Sequence, residues 1–115
     1  MLQSVMDNSN ALIYVKDTDG RYLLVNRMWS ELLGLPEDSV IGRTDSEIFP
    51  APLAARFMQN DEQVRRTMTP HSSEEMALVQ GEERFFLSNK FPLLTADGHL
   101  FGTAGVSAEI TDIKR

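Results

Sequence analysis

The feature that most constrains the fold is the last third of the chain, where apolar and polar residues alternate in three consecutive segments. The segments span residues 72–80, 84–94 and 100–108, and glycine-containing turns separate them. A period of two is typical of β-strands, and turns this short allow only antiparallel pairing. We therefore predict three consecutive antiparallel strands. Pro92 cannot donate to a ladder, so we expect it at a bulge or a strand end.

The middle strand carries apolar residues on both faces. One face has Phe85, Leu87 and Phe91, and the other has Phe86, Ser88 and Lys90. An antiparallel sheet usually exposes one polar face to water, so two apolar faces indicate that the second is also covered. We predict two covers, an amphipathic cap helix over residues 1–9 with its stripe of Leu2, Val5 and Met6, and a second copy of the chain in a homodimer.

The first half of the chain combines one hairpin with several helices. Residues 12–16 and 21–25 read as strands joined by a turn. Asn26 is a good N-cap for a helix that Gly34 and Pro36 end. Short helices follow, and an apolar stripe at helical spacing predicts a longer helix from Pro50 to about residue 69.

The turn in this hairpin invites a calcium interpretation, which we reject. Asp17, Asp19 and Gly20 have the spacing of the middle of an EF-hand loop. That loop also needs an acidic residue where this chain has Val15 and a glutamate where it has Asn26. A structural turn closed by glycine explains the same residues.

Composition excludes several classes of function. The formal charge of −6 argues against a nucleic-acid partner, which requires clustered basic residues. The absence of cysteine excludes a disulfide framework, a thiolate nucleophile and a cysteine-ligated zinc site. No apolar run is long enough to cross a bilayer, so we expect no direct membrane contact from this segment. We predict a soluble, cytoplasmic single domain that is a piece of a longer protein, which is itself either soluble or membrane-anchored.

Catalytic signatures are missing. The sequence contains no glycine-rich phosphate loop, no paired-histidine metal helix and no Gly-x-Ser-x-Gly elbow. Asp45, Asp61 and His71 are the candidates for acid–base chemistry, but no constellation marks them. We therefore predict that this segment is not an enzyme.

Several short motifs in a fixed order resemble one family over nearly the whole chain. They are Asp17–Gly20 with Val25–Asn26, Leu33–Leu35, Ile41–Asp45 with Ile48–Pro50, Lys90–Leu93, Asp97–Gly98, Gly102–Gly105 and Glu109–Thr111. Together with the order of strands and helices, they are similar to a PAS domain of the PAS/PAC sensory-box family of bacterial signalling proteins. The closing motif departs from the usual Asp-Ile-Thr, since this chain has Glu109, Ile110 and Thr111.

The resemblance implies an α+β fold and a regulatory role. The sheet would have five antiparallel strands in the order 2-1-5-4-3, with short helices and one longer helix over one face. Residues 10–111 would form the PAS core, and residues 112–115 would begin the linker to an effector such as a histidine kinase. The closing motif, Glu109 to Thr111, would carry the signal out. The alternatives are a ligand-free interaction or dimerisation module and, third, a small α+β enzyme.

The resemblance also implies a small-ligand pocket between helices and sheet. The lining residues would be Trp29, Leu33, Phe57, Phe86, Ser88, Lys90, Thr103, Gly105 and Ser107. We hypothesise that Lys90, with Ser88 or Ser107, meets the carboxylate of a ligand. Equally, Lys90 extends outward or pairs with Asp45 or Glu47 while side chains fill the pocket.

The sequence excludes some cofactors but does not identify one. Covalent flavin attachment in the family requires a cysteine, which this chain lacks. Haem-binding relatives usually place the iron ligand in the long helix, where this chain has no histidine. Non-covalent flavin and a small organic or fatty acid both remain compatible with the sequence, as does an empty pocket.

Overall fold

The computed structural model describes residues 10–111. The predicted cap helix over residues 1–9, with Leu2, Val5 and Met6, lies outside the described residues. The predicted linker over residues 112–115 lies outside them too. Five strands form one antiparallel sheet in the order β2-β1-β5-β4-β3. They are β1 (Leu12–Asp17), β2 (Tyr22–Val25), β3 (His71–Val79), β4 (Glu82–Leu94) and β5 (Leu100–Glu109). The predicted fold class and strand order are confirmed.

The helices fall between β2 and β3 in the chain. They are α1 (Arg27–Leu33), a 3₁₀ turn (Glu37–Ser39), α2 (Asp45–Ile48) and α3 (Ala51–Thr67). They pack over one face of the sheet, and a buried apolar core that includes Trp29, Val40 and Phe86 joins the two layers. The candidate site lies between these layers.

Asn26 fixes the junction between β2 and α1. Its Oδ1 accepts hydrogen bonds from the backbone N–H of Trp29 at 3.0 Å, as a helix N-cap does, and from that of Ile13 at 3.1 Å. Gly34 ends the helix with a φ of 67°, a left-handed conformation that glycine adopts without steric cost. These two predicted boundaries are confirmed, and they hold Trp29 against the sheet.

Two boundaries differ from the prediction. The turn between β3 and β4 lies at Gln80 and Gly81, both with positive φ, so β4 begins at Glu82 rather than at Arg84. Thr44 rather than Asp45 is the N-cap of α2, with Glu47 completing a capping box. This shift matters because Asp45, freed from capping, is buried instead.

Strands β1 and β5 approach unusually closely where Gly102 faces Asp17. A Cβ built on Gly102 would lie 2.2 Å from the carbonyl oxygen of Lys16, a backbone atom that cannot move aside cheaply. Only glycine fits here without separating the two strands. The contact therefore fixes the position of Lys16 at the end of β1.

Candidate functional site

A cavity of about 50 Å³ lies between the helices and the sheet. Its wall is mostly apolar and aromatic, with a few polar groups at one end; the bordering residues are Leu12, Tyr14, Lys16, Tyr22, Trp29, Leu33, Phe49, Phe57, Glu75, Ala77, Phe86, Ser88, Lys90 and Ser107. Leu33, Phe49 and Phe57 are the partly exposed members of this wall, whereas the other bordering residues are buried. Such a composition is typical of a small-molecule site.

Five aromatic rings form a continuous row along the wall. Neighbouring centroids are 6.3 Å apart for Tyr14 and Tyr22, 5.4 Å for Tyr22 and Trp29, 6.3 Å for Trp29 and Phe49, and 5.4 Å for Phe49 and Phe57. The rings are tilted or edge-to-face, the arrangement that their quadrupoles favour. The row links the sheet to α1 and α3.

A buried group of charged side chains, which we call the charge cluster, comprises Lys16, Asp45, Asp61, Glu75 and Lys90. Lys16 lies at its centre, with Nζ 2.6 Å from Asp45 Oδ2 and 2.6 Å from Asp61 Oδ2. Tyr22 donates its hydroxyl hydrogen to Asp45 Oδ1 at 2.6 Å. Strand β1 is therefore tied to both α2 and α3.

Lys90 forms the other half of the charge cluster. Its Nζ lies 3.2 Å from Asp61 Oδ1 and 3.2 Å from Glu75 Oε2, and it sits 5.2 Å from the centre of the Phe57 ring. Asn60 also donates to Glu75 Oε2 at 2.8 Å. Asp61 is thus shared by both lysines, which makes it the hub of the charge cluster.

Burial and charge act in opposite directions on these groups. Burial alone would lower the pKa of Lys16 and of Lys90, but the neighbouring carboxylates outweigh it, and both pKa values lie above the ordinary value. For Asp61, burial favours the neutral acid, yet the two ammonium groups hold its pKa below the ordinary value. Burial raises the pKa of Tyr14 and of Tyr22, so both hydroxyls stay protonated.

These directions predict how stability depends on pH. The lowered pKa of Asp61 contributes stability that is present above its ordinary value of 3.8 and is lost as the pH falls through the folded value. The raised pKa values of Lys16 and Lys90 contribute stability that is present below 10.5 and is lost as the pH rises through the folded values. We expect the free energy of unfolding to be flat from about pH 5 to about pH 9 and to fall on either side. Urea unfolding across this range measures it, and a steep slope between pH 6 and pH 8 would contradict the assignment.

Seven of the nine residues predicted to line a pocket border the cavity, namely Trp29, Leu33, Phe57, Phe86, Ser88, Lys90 and Ser107. Gly105 does not, because the Tyr14 ring covers it; a Cβ there would lie 2.1 Å from that ring. Thr103 does not either, since it pairs with Lys16 and Pro92 farther toward the end of the sheet. Whether the seven bind a ligand stays a prediction.

The expected pairing of Lys90 is different in the structure. Lys90 neither extends outward nor contacts Asp45 or Glu47; its partners are Asp61 and Glu75. Asp45 pairs with Lys16 instead. Ser88 and Ser107, proposed as helpers of Lys90, bond to each other at 2.7 Å.

The predicted pocket lining omitted Lys16 and Glu75, and Asp61 was named only as an acid–base candidate, not as the partner of Lys16 and Lys90. One signal was available, since Asp61 interrupts the apolar stripe of α3, and a charged residue on a buried helix face needs a partner. Lys16 also follows Leu12 and Tyr14 at period two, which places it on the inner face of β1. The partners themselves lie far away in the chain.

The end of β5 forms a second polar group, which we call the exit cluster: Arg84, Phe85, Glu109 and Thr111. Arg84 Nη1 lies 3.1 Å from Glu109 Oε1, and Thr111 donates to Glu109 Oε2 at 2.6 Å. The hydroxyl of Thr111 accepts from the backbone N–H of Phe85 at 3.0 Å, and Ile110 N–H donates to the Phe85 carbonyl at 2.7 Å. The exit is therefore fastened to the start of β4.

Among residues 10–111, no three histidine, cysteine, aspartate or glutamate side chains are grouped so as to hold a metal ion. No helix of this part of the chain is long and apolar enough to cross a bilayer.

Comparison with known proteins places the fold in a family. The model of the PAS fold family matches residues 6–115 of this chain. The chain belongs to the PAS fold family. VqmA from Vibrio cholerae, solved as a complex with ligand and DNA, superimposes with a TM-score of 0.85 at 27% identity, over 95% of this chain and 50% of VqmA.

Two relatives of this PAS domain are a histidine kinase and a diguanylate cyclase. The methanogenesis regulatory histidine kinase FilI of Methanothrix harundinacea is 32% identical over 113 residues, which is 97% of this chain and 13% of the kinase. A diguanylate cyclase of Vibrio cholerae is 30% identical over 112 residues, which is 95% of this chain and 35% of the cyclase. This PAS domain therefore matches only part of each larger protein.

Proposed function

We propose that this PAS domain is the sensory and dimerising input of a longer signalling protein, and that it has no enzymatic activity of its own. It binds a small ligand in the cavity and passes the signal through β5 to an effector such as a histidine kinase. The observation that carries the proposal is the cavity itself, because its aromatic wall and charge cluster bring side chains of α1, α2, α3 and the sheet to one point. A ligand there contacts both layers.

Signal transfer follows if the ligand prefers one arrangement of the two layers. Only a difference in affinity between two arrangements shifts their populations. Ser107 borders the cavity on β5, and the same strand ends in the exit cluster two residues later. A change in packing at the cavity therefore has a short path to the point where the chain leaves the sheet.

The direct test of ligand binding is native mass spectrometry of the purified protein, together with an absorbance spectrum. We expect a bound small molecule that is lost on denaturation. The spectrum separates flavin and haem, which absorb visible light, from an organic ligand that does not. A homogeneous ligand-free mass from several expression hosts would refute this part of the proposal.

The second candidate function is a ligand-free interaction or dimerisation module. The sheet face opposite the helices favours this function because it carries apolar side chains, namely Phe85, Leu87 and Phe91 on β4 and Leu78 on β3. Of these, Leu78 is 51% exposed and Leu87 is 41% exposed. We propose that a second copy covers this face together with residues 1–9. Analytical ultracentrifugation should show a dimer, and a strict monomer at high concentration would exclude it.

The exit cluster yields a separate prediction. Glu109→Lys replaces the attraction to Arg84 by repulsion and removes the acceptor for Thr111. We expect amide hydrogen exchange at Phe85 and Ile110 to become several-fold faster, since local opening is then easier. Ligand affinity should stay within twofold of the wild-type value, because Glu109 does not border the cavity.

The control is Glu83→Lys, which makes the same charge change at an exposed position of the same hairpin. It should leave exchange at Phe85 and Ile110 unchanged. If Glu109→Lys weakened ligand binding as much as it weakened protection from amide exchange, a role of Glu109 in signal transfer alone would be contradicted.

A further inference from the structure

We propose that the cavity takes a small neutral or cationic molecule that donates a hydrogen bond to Glu75, and that it rejects carboxylates and other anions. The inference rests on the proposed ligand-binding function and specifies its ligand class. It reverses the hypothesis drawn from the sequence, in which Lys90 was the free cation that meets an acidic ligand.

The sign of the buried charge is the first argument. The charge cluster contains three carboxylates, from Asp45, Asp61 and Glu75, and two ammonium groups, from Lys16 and Lys90. Each of the five residues is more than nine-tenths buried. One negative charge therefore remains uncompensated within the charge cluster. At low dielectric, an incoming anion is repelled by it, whereas a cation is attracted.

The pairing of the lysines is the second argument. Among residues 10–111, Lys16 and Lys90 are the two cationic residues at the cavity wall, and each already lies against two carboxylate oxygens. An anionic ligand would have to displace one of these partners. Displacement leaves a buried carboxylate without a counterion, which is strongly unfavourable.

Unused hydrogen-bonding capacity is the third argument. Glu75 Oε2 receives both Asn60 and Lys90, whereas Glu75 Oε1 receives no hydrogen bond from any residue between 10 and 111. Glu75 borders the cavity, so its Oε1 can accept a hydrogen bond from a ligand there. Lys90 has a third N–H, which suits a neutral acceptor on the same ligand. A ligand with an N–H or O–H group beside a carbonyl satisfies both.

The volume of the cavity limits the size of the ligand. A cavity that holds benzene measures about 150 Å³, three times the volume found here. A single ring therefore requires the partly exposed Phe49 and Phe57 to move outward, and a flavin requires far more. The row of rings then offers flat faces to a planar ligand.

Three isosteric probes test the charge selectivity: benzamidine, benzamide and benzoate, which differ in charge but hardly in shape. The reporter is the indole N–H resonance of Trp29, which borders the cavity and is the single tryptophan of the chain. We expect benzamide and benzamidine to shift this resonance at millimolar concentration and benzoate to bind at least tenfold more weakly. Benzoate binding as tightly as benzamidine would overturn the inference while leaving ligand binding intact.

A matched variant assigns the selectivity to the charge cluster. Glu75→Gln keeps the size of the side chain and removes the uncompensated charge, so the preference for benzamidine over benzoate should shrink at least fivefold. Glu74→Gln, one residue away on the other face of β3, should leave it unchanged. If Glu75→Gln does not fold, Asp45→Asn makes the same charge change from the α2 side.

The remaining outcomes are also decisive. An unchanged probe preference in both charge-cluster variants overturns the inference. If no probe shifts the Trp29 resonance and native mass spectrometry finds no bound molecule, ligand binding itself fails, and the ligand-free module is the better description.

Discussion

Asp61→Ala should lower the free energy of unfolding by about 3–5 kcal/mol, the cost of removing one partner from a buried ion pair. Asp61 contacts both Lys16 and Lys90, so its loss leaves two buried ammonium groups with one carboxylate each. A domain of this size has a total stability of about 5–15 kcal/mol, so this loss is a large fraction of the total. Urea unfolding followed by circular dichroism measures the loss.

Two further variants separate charge from packing. Asp61→Asn keeps the shape of the side chain and should cost nearly as much as Asp61→Ala if the charge is what matters. Glu62→Ala, at the next position of α3, removes an exposed partner of Arg65 and should cost at most about 1 kcal/mol. Wild-type stability in Asp61→Asn would show that the lysines do not depend on this carboxylate.

Trp29→Ala should cost a similar amount, about 3–5 kcal/mol, because it removes the largest ring of the aromatic row and leaves a void. Trp29 is 3% exposed and contacts both Tyr22 and Phe49. Part of this loss should be recovered by indole, which fills the enlarged cavity and raises the melting temperature with its concentration.

The control for this variant is Glu31→Ala, on the exposed side of the same helix, which should stay within about 0.5 kcal/mol of the wild type. A loss below about 1 kcal/mol in Trp29→Ala would mean that the ring is not part of the packed core. Absence of rescue by indole would mean that the helices collapse into the void.

The existence of the strands and both ends of α1 were predictable because their signals are local. Alternation at period two defines the strands, and Asn26 and Gly34 bound α1 through contacts within a few residues. The order of the strands came from the resemblance to PAS domains rather than from the residues, since hydrogen bonding between β1 and β5 joins positions about ninety residues apart.

The charge cluster was not predictable for a physical reason. Lys16 is 29 residues from Asp45 and 45 residues from Asp61, and nothing near Lys16 in the sequence indicates which acid it meets. Lys90 borders the cavity, but its predicted partners were Asp45 or Glu47, whereas the structure pairs it with Asp61 and Glu75. The choice of partner depends on how α3 lies across the sheet. Only the folded structure supplies that geometry.

The charge cluster also destabilises incorrectly paired forms of the sheet. Its members come from β1, α2, α3, β3 and β4, so each buried lysine meets its carboxylate partners only when these elements have docked. A slip of β4 by one residue would present Asn89 or Phe91 to Asp61 and Glu75 in place of Lys90, and would leave two buried carboxylates short of a counterion. A sheet with β4 in the wrong register is therefore less stable. Apolar residues on both faces of β4 would tolerate such a slip, so the buried charges favour the correct register.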